Sequence, residues 1–354
     1  MVAPFISVRS SDTDGRTHRP GKKPLTPFLP GTPFVPPSIG HYFMRLFFLG
    51  LMGLLSSGSA LAADAAGTMR RIRDPQGGLI AIAHRGCHAP APYHGLPSAP
   101  ENSQAALDHC VAIGVDVMET DVRKSRDGYL VIMHDATVDR TTNGHGAVDQ
   151  LTLAALKAFR LRTGLGGEQA AVTDQTVLTL DEMLALARGK IVLNLDVKDA
   201  IYAEVIDAVV RHRAADHVIV KVAAGAGSPP LASMVPFDRV PFMPMIASVD
   251  EMGADLPAVV DRQATGARKP IGFELPRLPR SAVEPVAERA RAVGGRLWVN
   301  SLWDGFIAGV GGDVDALRDP DAVWGTLYRS GITMIQTDEP EALLRYRAGM
   351  DKAK

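Results

Sequence analysis

The chain has 354 residues, 46% of them hydrophobic and 22% charged, the balance of an ordinary globular protein with room for one large domain or two smaller ones. Its 38 basic and 39 acidic residues give a formal charge of −1. That balance lacks the basic surplus of a nucleic-acid binder, so no nucleic-acid partner is expected.

Residues 1–43 are rich in Pro, Ser, Thr and basic side chains. They read as an upstream extension, with translation expected to start at Met44. Residues 44–62 then order a basic residue, the apolar run Leu46–Leu55 and the small residues ending Ala60-Leu61-Ala62, the layout of a secretory signal peptide cleaved after Ala62. The run is shorter than the roughly 20 residues of a bilayer span. No stable membrane anchor is expected after cleavage, and the expected location is exported, periplasmic or secreted. Cleavage removes six basic and two acidic residues, leaving 32 against 37 and a formal charge of −5. Residues 63–77 read as a linker. An oxidising compartment permits Cys87 and Cys110 to pair; spacing leaves the question open, with a lean towards free or structural cysteines.

From residue 78 to 348, short β-rich runs alternate with helical stretches. Strands are expected at 79–83, 115–121, 129–134, 191–196, 217–222, 240–247, 271–275, 296–301 and 333–337. Between them, "ENSQAALDHCVAIG" ends at Gly114, and "TLDEMLALARG" opens on Thr179 and closes at Gly189. "DAIYAEVIDAVVRHRAA" and "RSAVEPVAERARAVGG" continue the helical pattern. The alternation predicts one α/β domain with a parallel sheet. Nine strands fit a TIM (β/α)8 barrel with loop insertions and one extra strand better than two domains. A doubly wound sheet would carry a glycine-rich turn after its first strand, where this chain has "HRGCHAPAP". Residues 225–230 and 309–321 read as surface loops.

Chemistry concentrates at the ends of these strands. Glu119 and Asp121 are two apart on a strand and share a face. Asp127-Gly128 predicts a two-residue hairpin turn that sets Asp121 opposite His134. His84 and Arg85 follow the first strand, and Glu101 and Asn102 precede the first helix. Asn194, Asp196 and Lys198 share one face of a later strand. Burying such charge without a partner costs several kcal/mol. The acids therefore either pair with bases or hold a cation. Glu119, Asp121 and Asp196 offer an all-oxygen ligand set suited to Ca2+ or Mg2+. Arg85 and Lys198 suit phosphate oxygens. His84 and His134, with ordinary pKa values near 6.5, suit acid–base work. Together these are the parts of metal-assisted phosphodiester cleavage.

The ordered segments "HRG" (84–86), "PENS" (100–103), "METDV" (118–122), "RDGYLVIMHD" (126–135), "DRTTNG" (139–144), "VLTLDEML" (177–184), "LNLDVK" (193–198), "LWVNS" (297–301) and "MIQTDEP" (334–340) resemble the glycerophosphodiester phosphodiesterase family. The resemblance implies a TIM barrel that cleaves a small-molecule glycerophosphodiester into glycerol 3-phosphate and an alcohol. It implies metal ligation by Glu119, Asp121 and Asp196, acid–base roles for His84 and His134, and phosphate contact by Arg85. Asp196 departs from the family pattern, which usually has Glu there, one methylene longer. The loop "CHAPAPYHGLPSA" is also long, and His88, Tyr93 and His94 in it are expected to be exposed. Trp303 and Phe306 are candidates for an apolar wall, Trp298 and Phe273 for the core, and Glu274 for a surface charge. Cleavage of a lipid or inositol phosphodiester, or phosphodiester binding without catalysis, are the alternatives. The oligomeric state is not legible.

Overall fold

The computed structural model describes residues 64–246, 255–275 and 277–352. The extension and signal peptide read at 1–62 lie outside the described residues.

Runs of Val, Ile, Leu and Met build one nine-stranded sheet: β1 (Ile80–Ala83), β2 (Val117–Lys124), β3 (Leu130–Ile132), β4 (Val192–Val197), β5 (Val218–Ala223), β6 (Phe242–Met245), β7 (Gly272–Glu274), β8 (Arg296–Asn300) and β9 (Ile332–Thr337). All but β3 are parallel neighbours in the order β1-β9-β8-β7-β6-β5-β4-β2, and β1 pairs with β2 to close the ring. This is the expected eight-stranded barrel, with β3 as the extra strand. β3 runs antiparallel to the end of β2, beyond the point where β1 stops.

Helices cross between the strands: among them α1 (Ala65–Arg73), α2 (Gln104–Ile113), α3 (Leu153–Ala158), α4 (Leu180–Ala187), α5 (Tyr202–Arg211), α6 (Leu256–Gln263) and α7 (Arg280–Ala292). Ser103 caps α2, which ends on Gly114 in the left-handed conformation that glycine adopts without steric cost. Thr179 and Glu182 form a reciprocal capping box on α4. That helix ends one residue earlier than expected, at Arg188.

The barrel interior is layered. Ile80, Ile82, Val117, Val192, Ile219, Met243, Trp298 and Met334 form an apolar lower layer. The described part of the segment read as a linker, residues 64–77, is not one. There α1 closes the bottom of the barrel, burying Ala65, Met69 and Ile72 against that layer. Burial of Met69 and Ile72 contributes about 4 kcal/mol before ordering costs. Arg296 fastens this plug by donating to the carbonyls of Arg71, Asp74 and Gly78 at 3.0, 2.6 and 2.8 Å. With the lower half filled, polar groups are confined to the C-terminal mouth.

Three local expectations change. The β2–β3 hairpin pairs Val122 with Ile132 and Lys124 with Leu130, one residue out of the expected register. Its loop has three residues, Arg126 to Gly128, with Gly128 at φ 87°, so Asp121 lies nearer Met133 than His134. Cys87 and Cys110, whose pairing the spacing left open, form a disulfide with Cα atoms 5.1 Å apart. Packing of α2 beneath the β1–α2 loop, with Cys87 N donating to Ala106 O, brings the two together. Residues 309–321 include a short helix, Asp313–Ala316, whose Asp313 is buried.

Candidate active site

Strand register sets the centre. Asp121 of β2 pairs with Asp196 of β4, which pairs with Lys221 of β5, so three charged side chains lie abreast on adjacent strands. One interior step below, Glu119 adjoins Asn194. Ligand oxygens of Glu119, Asp121 and Asp196 all lie within 4.8 Å of one another. Three buried or half-buried carboxylates in so small a volume repel strongly, and the chain offsets them with two lysines. Lys198 Nζ lies 2.9 Å from Asp121 Oδ1 and 2.8 Å from Asp196 Oδ2. Lys221 Nζ lies 2.7 Å from Glu274 Oε2, with both side chains more than nine-tenths buried.

The protonation pattern follows. Burial, then the charges of Asp121 and Asp196, push Glu119 up to about 8. Burial also acts to raise Asp121, but Lys198, His134 and Arg85 overcome it and hold that carboxyl well below the usual range. Asn194 Oδ1 is buried without a hydrogen-bond partner, and Asp121 Oδ1 meets the Lys198 ammonium at 2.9 Å. An unpartnered buried oxygen beside a carboxylate trio is what a hard divalent cation would satisfy. The residues therefore fit the ion, which Glu119, Asp121 and Asp196 would hold.

Around this centre the backbone is bent to aim side chains. Arg85 and Asn102 have φ values of 52° and 57°, in the left-handed region that non-glycine residues rarely enter. Asn102 N donates to Arg85 O at 2.8 Å, locking the two bends together. Gly86 has no alternative, because a Cβ there would meet Met118 Cε at 2.7 Å and Ala106 Cβ at 2.9 Å. Arg85 N donates to Glu119 Oε2 at 2.8 Å, and its guanidinium contacts Glu101 at 3.2 Å. Asn102 Nδ2 donates to Asp121 Oδ2 at 2.7 Å, while its oxygen accepts from Thr120 Oγ1 at 2.7 Å. Glu101 and Asn102 thus orient Arg85 and Asp121.

The two histidines have separate orienting carboxylates. Buried His84 meets Asp338 Oδ1 through Nδ1 at 2.8 Å. Burial pulls it below its ordinary value, partly opposed by Asp338. His134, about one-third exposed, meets Asp135 Oδ1 through Nδ1 at 2.6 Å. Arg140 donates to Asp135 Oδ2 at 2.7 Å and to both oxygens of Glu101 at 2.8 Å, joining the His134 support to the Arg85 support. His134 and Arg140 belong to an insertion with its own small core, Val131, Met133, Val138, Val148, Leu156, Leu161 and Val177.

All nine residues singled out from the sequence lie in this one region: His84, Arg85, Glu101, Asn102, Glu119, Asp121, His134, Asp196 and Lys198. Four others were missed. Lone charges in apolar runs, Lys221 in "VIVKVA" and Glu274 in "IGFELP", were the available signal, and Glu274 is buried rather than on the surface. Asp135 adjoins His134, and Asp338 follows the last strand in "QTDEP". His88 was expected to be exposed; it is buried, with Nε2 2.9 Å from Asp338 Oδ1. Tyr93 is exposed as expected. Trp298 and Phe273 are core, and half-exposed Trp303 packs on Phe306 at 5.0 Å between centroids.

A model of the glycerophosphoryl diester phosphodiesterase family matches residues 84–226. Those residues belong to that family. They hold all nine expected site residues, whereas Glu274 and Asp338 lie beyond them. A second model, of a domain of unknown function, matches residues 242–347, so the family segment ends before β6. A glycerophosphodiester phosphodiesterase of Caldanaerobacter subterraneus is 38% identical over 124 residues, 34% of this chain and 46% of the relative. One of Bacillus altitudinis is 35% identical over 105 residues, 29% of this chain and 42% of the relative. The chain therefore aligns with less than half the length of these relatives. Among solved structures, a glycerophosphoryl diester phosphodiesterase of Parabacteroides distasonis superposes with a TM-score of 0.61 at 20% identity, covering 82% of this chain and 93% of its own. An Oleispira antarctica phosphodiesterase, solved with its product sn-glycerol-3-phosphate, gives 0.53 at 20% identity, covering 77% and 97%. Such likenesses establish the fold, a closed (β/α)8 barrel across both matched segments.

Proposed function

We propose that this chain hydrolyses glycerophosphodiesters to glycerol 3-phosphate and an alcohol, using one hard divalent cation, Ca2+ or Mg2+. The observation that carries the reading is the convergence of three carboxylates on adjacent strands at the barrel end where one oriented imidazole follows β1 and a second follows β3. When bound, the cation would supply charge neutralisation at the phosphoryl oxygens. The chain's own groups do the rest. Arg85, braced by Glu101, contacts the phosphate. Lys198 bridges Asp121 and Asp196; with those carboxylates engaged by a cation, its ammonium would be available to the phosphate. His84 Nε2 accepts the proton of the attacking oxygen, either water or a glycerol hydroxyl whose cyclic product water then opens, and His134 Nε2 delivers a proton to the leaving alcohol. Trp303 and Phe306 offer an apolar wall for that alcohol.

We also read the mature chain as exported. The Cys87–Cys110 disulfide supports this, since such bonds persist in oxidising compartments. The test is incubation of the mature protein with glycerophosphocholine and related head groups, with Ca2+ or Mg2+, while measuring released glycerol 3-phosphate. Release that depends on the cation is expected; no release from any head group would reject the reading.

A further inference from the structure

Outside the carboxylate trio, one other cluster has ligand geometry. His84 Nδ1 and His88 Nε2 lie 2.8 and 2.9 Å from the same oxygen, Asp338 Oδ1, and the three donor atoms fall within 4.8 Å of one another. They come from two distant pieces of chain: the loop after β1 and the residue following β9. One imidazole on Asp338 suffices to orient His84. The second adds nothing to that task, yet His88 is buried and its backbone is pinned. Its carbonyl accepts from Ala99 N at 3.0 Å and Ser98 Oγ at 2.8 Å, and its neighbour Cys87 is fixed to α2 by the disulfide.

We propose that His84, His88 and Asp338 form a second metal site, for Zn2+ or a similar borderline ion, and that filling it switches the enzyme off. The donor set is two nitrogens and one oxygen, which such ions favour over the all-oxygen set suited to Ca2+ and Mg2+. Tetrahedral ligands about 2.1 Å from zinc are separated by roughly 3.4 Å, so each His–Asp distance must open by only about 0.5 Å. The ion replaces the two N–H donors that now meet Asp338. His84 would then be held through Nδ1 with its proton on Nε2, and that nitrogen could no longer accept one. The inhibitory half rests on the proton-acceptor role proposed for His84; the binding half does not.

The experiment uses the full mature chain saturated with Mg2+ and titrated with Zn2+ by calorimetry, alongside turnover of glycerophosphocholine. One Zn2+ per chain is expected. His88→Ala and His88→Gln should weaken its binding at least tenfold, and Glu119→Gln should leave it unchanged. Half-inhibition by Zn2+ should move up at least tenfold in both His88 variants, whose zinc-free turnover matches the parent. His88→Gln keeps a hydrogen bond to Asp338 and so separates ligand loss from loop misfolding. No Zn2+ uptake, uptake indifferent to His88, or uptake lost with Glu119→Gln would overturn the site. Uptake without inhibition would overturn the switch. If the chain turns over no glycerophosphodiester, the functional reading fails and calorimetry still decides the site.

Discussion

The Lys221–Glu274 pair lies inside the barrel, where its removal should be measurable in stability. Nζ and Oε2 are 2.7 Å apart, and the side chains are only 3% and 7% exposed. At an effective dielectric of about 20 their attraction is about 6 kcal/mol. Desolvation costs several kcal/mol per ion, so the pair adds little net stability, yet removing one partner strands the other. The usual loss is about 3–5 kcal/mol. Glu119 and Asp196 also act on Lys221 and can take up part of its charge. We therefore expect Glu274→Gln to lose about 3 kcal/mol. Lys221→Met removes a charge that offsets all three acids and is expected at the upper end, about 5 kcal/mol. Urea unfolding of the parent, both single variants and the double variant, in chelator, gives the cycle. The double variant should be less damaged than the sum of the singles by about 2 kcal/mol or more. Additivity within about 0.5 kcal/mol would refute the reasoning, because it would show Lys221 held by the metal-site acids rather than by Glu274.

Asp135→Asn should lower kcat roughly 10- to 100-fold while leaving KM nearly unchanged, as loss of a group that only orients an imidazole does; steady-state kinetics showing a pure KM effect would count against it. Chelation should abolish turnover and added Mg2+ or Ca2+ restore it in the parent, whereas Glu119→Gln should bind the ion at least tenfold more weakly by calorimetry. Burial pushes Asp313 up to about 7, so between pH 4 and 7 the folded state binds more protons than the unfolded one and stability falls as pH rises. In chelator, the parent should lose about 2–3 kcal/mol relative to Asp313→Asn between pH 5 and 8. A parallel pH profile for the two proteins in urea unfolding would mean that Asp313 is ionised throughout.

Much of the barrel was legible because parallel strands buried on both faces leave nearly continuous apolar runs, and β1, β4, β5 and β9 all have them. The plug was not. "AAGTMRRIR" mixes three buried apolar residues with five exposed or half-exposed basic and small ones, and only the presence of an open barrel floor gives its apolar stripe something to cover. The hairpin register failed by one residue because Asp127-Gly128 fits both a two-residue turn and the end of a three-residue loop, and the choice depends on Ser125 closing the loop on Tyr129.

Glu119 and Asp121 were visible together because local geometry alone pairs them: they share a strand face at any register. Asp338 and His88 depend instead on ring closure. Asp338 is 254 residues from His84, and the two meet only because β9 lies beside β1 with Thr337 level with Ala83. No periodicity encodes that contact. The same dependence makes the arrangement sensitive to closure: a one-residue slip of β9 along β1 would carry Asp338 about 3.3 Å along the strand and away from both imidazoles. The orientation of His84 is therefore set by the last barrel pairing to be specified along the chain, and any variant that loosens the β1–β9 seam should disturb His84 while sparing the carboxylate trio on β2 and β4.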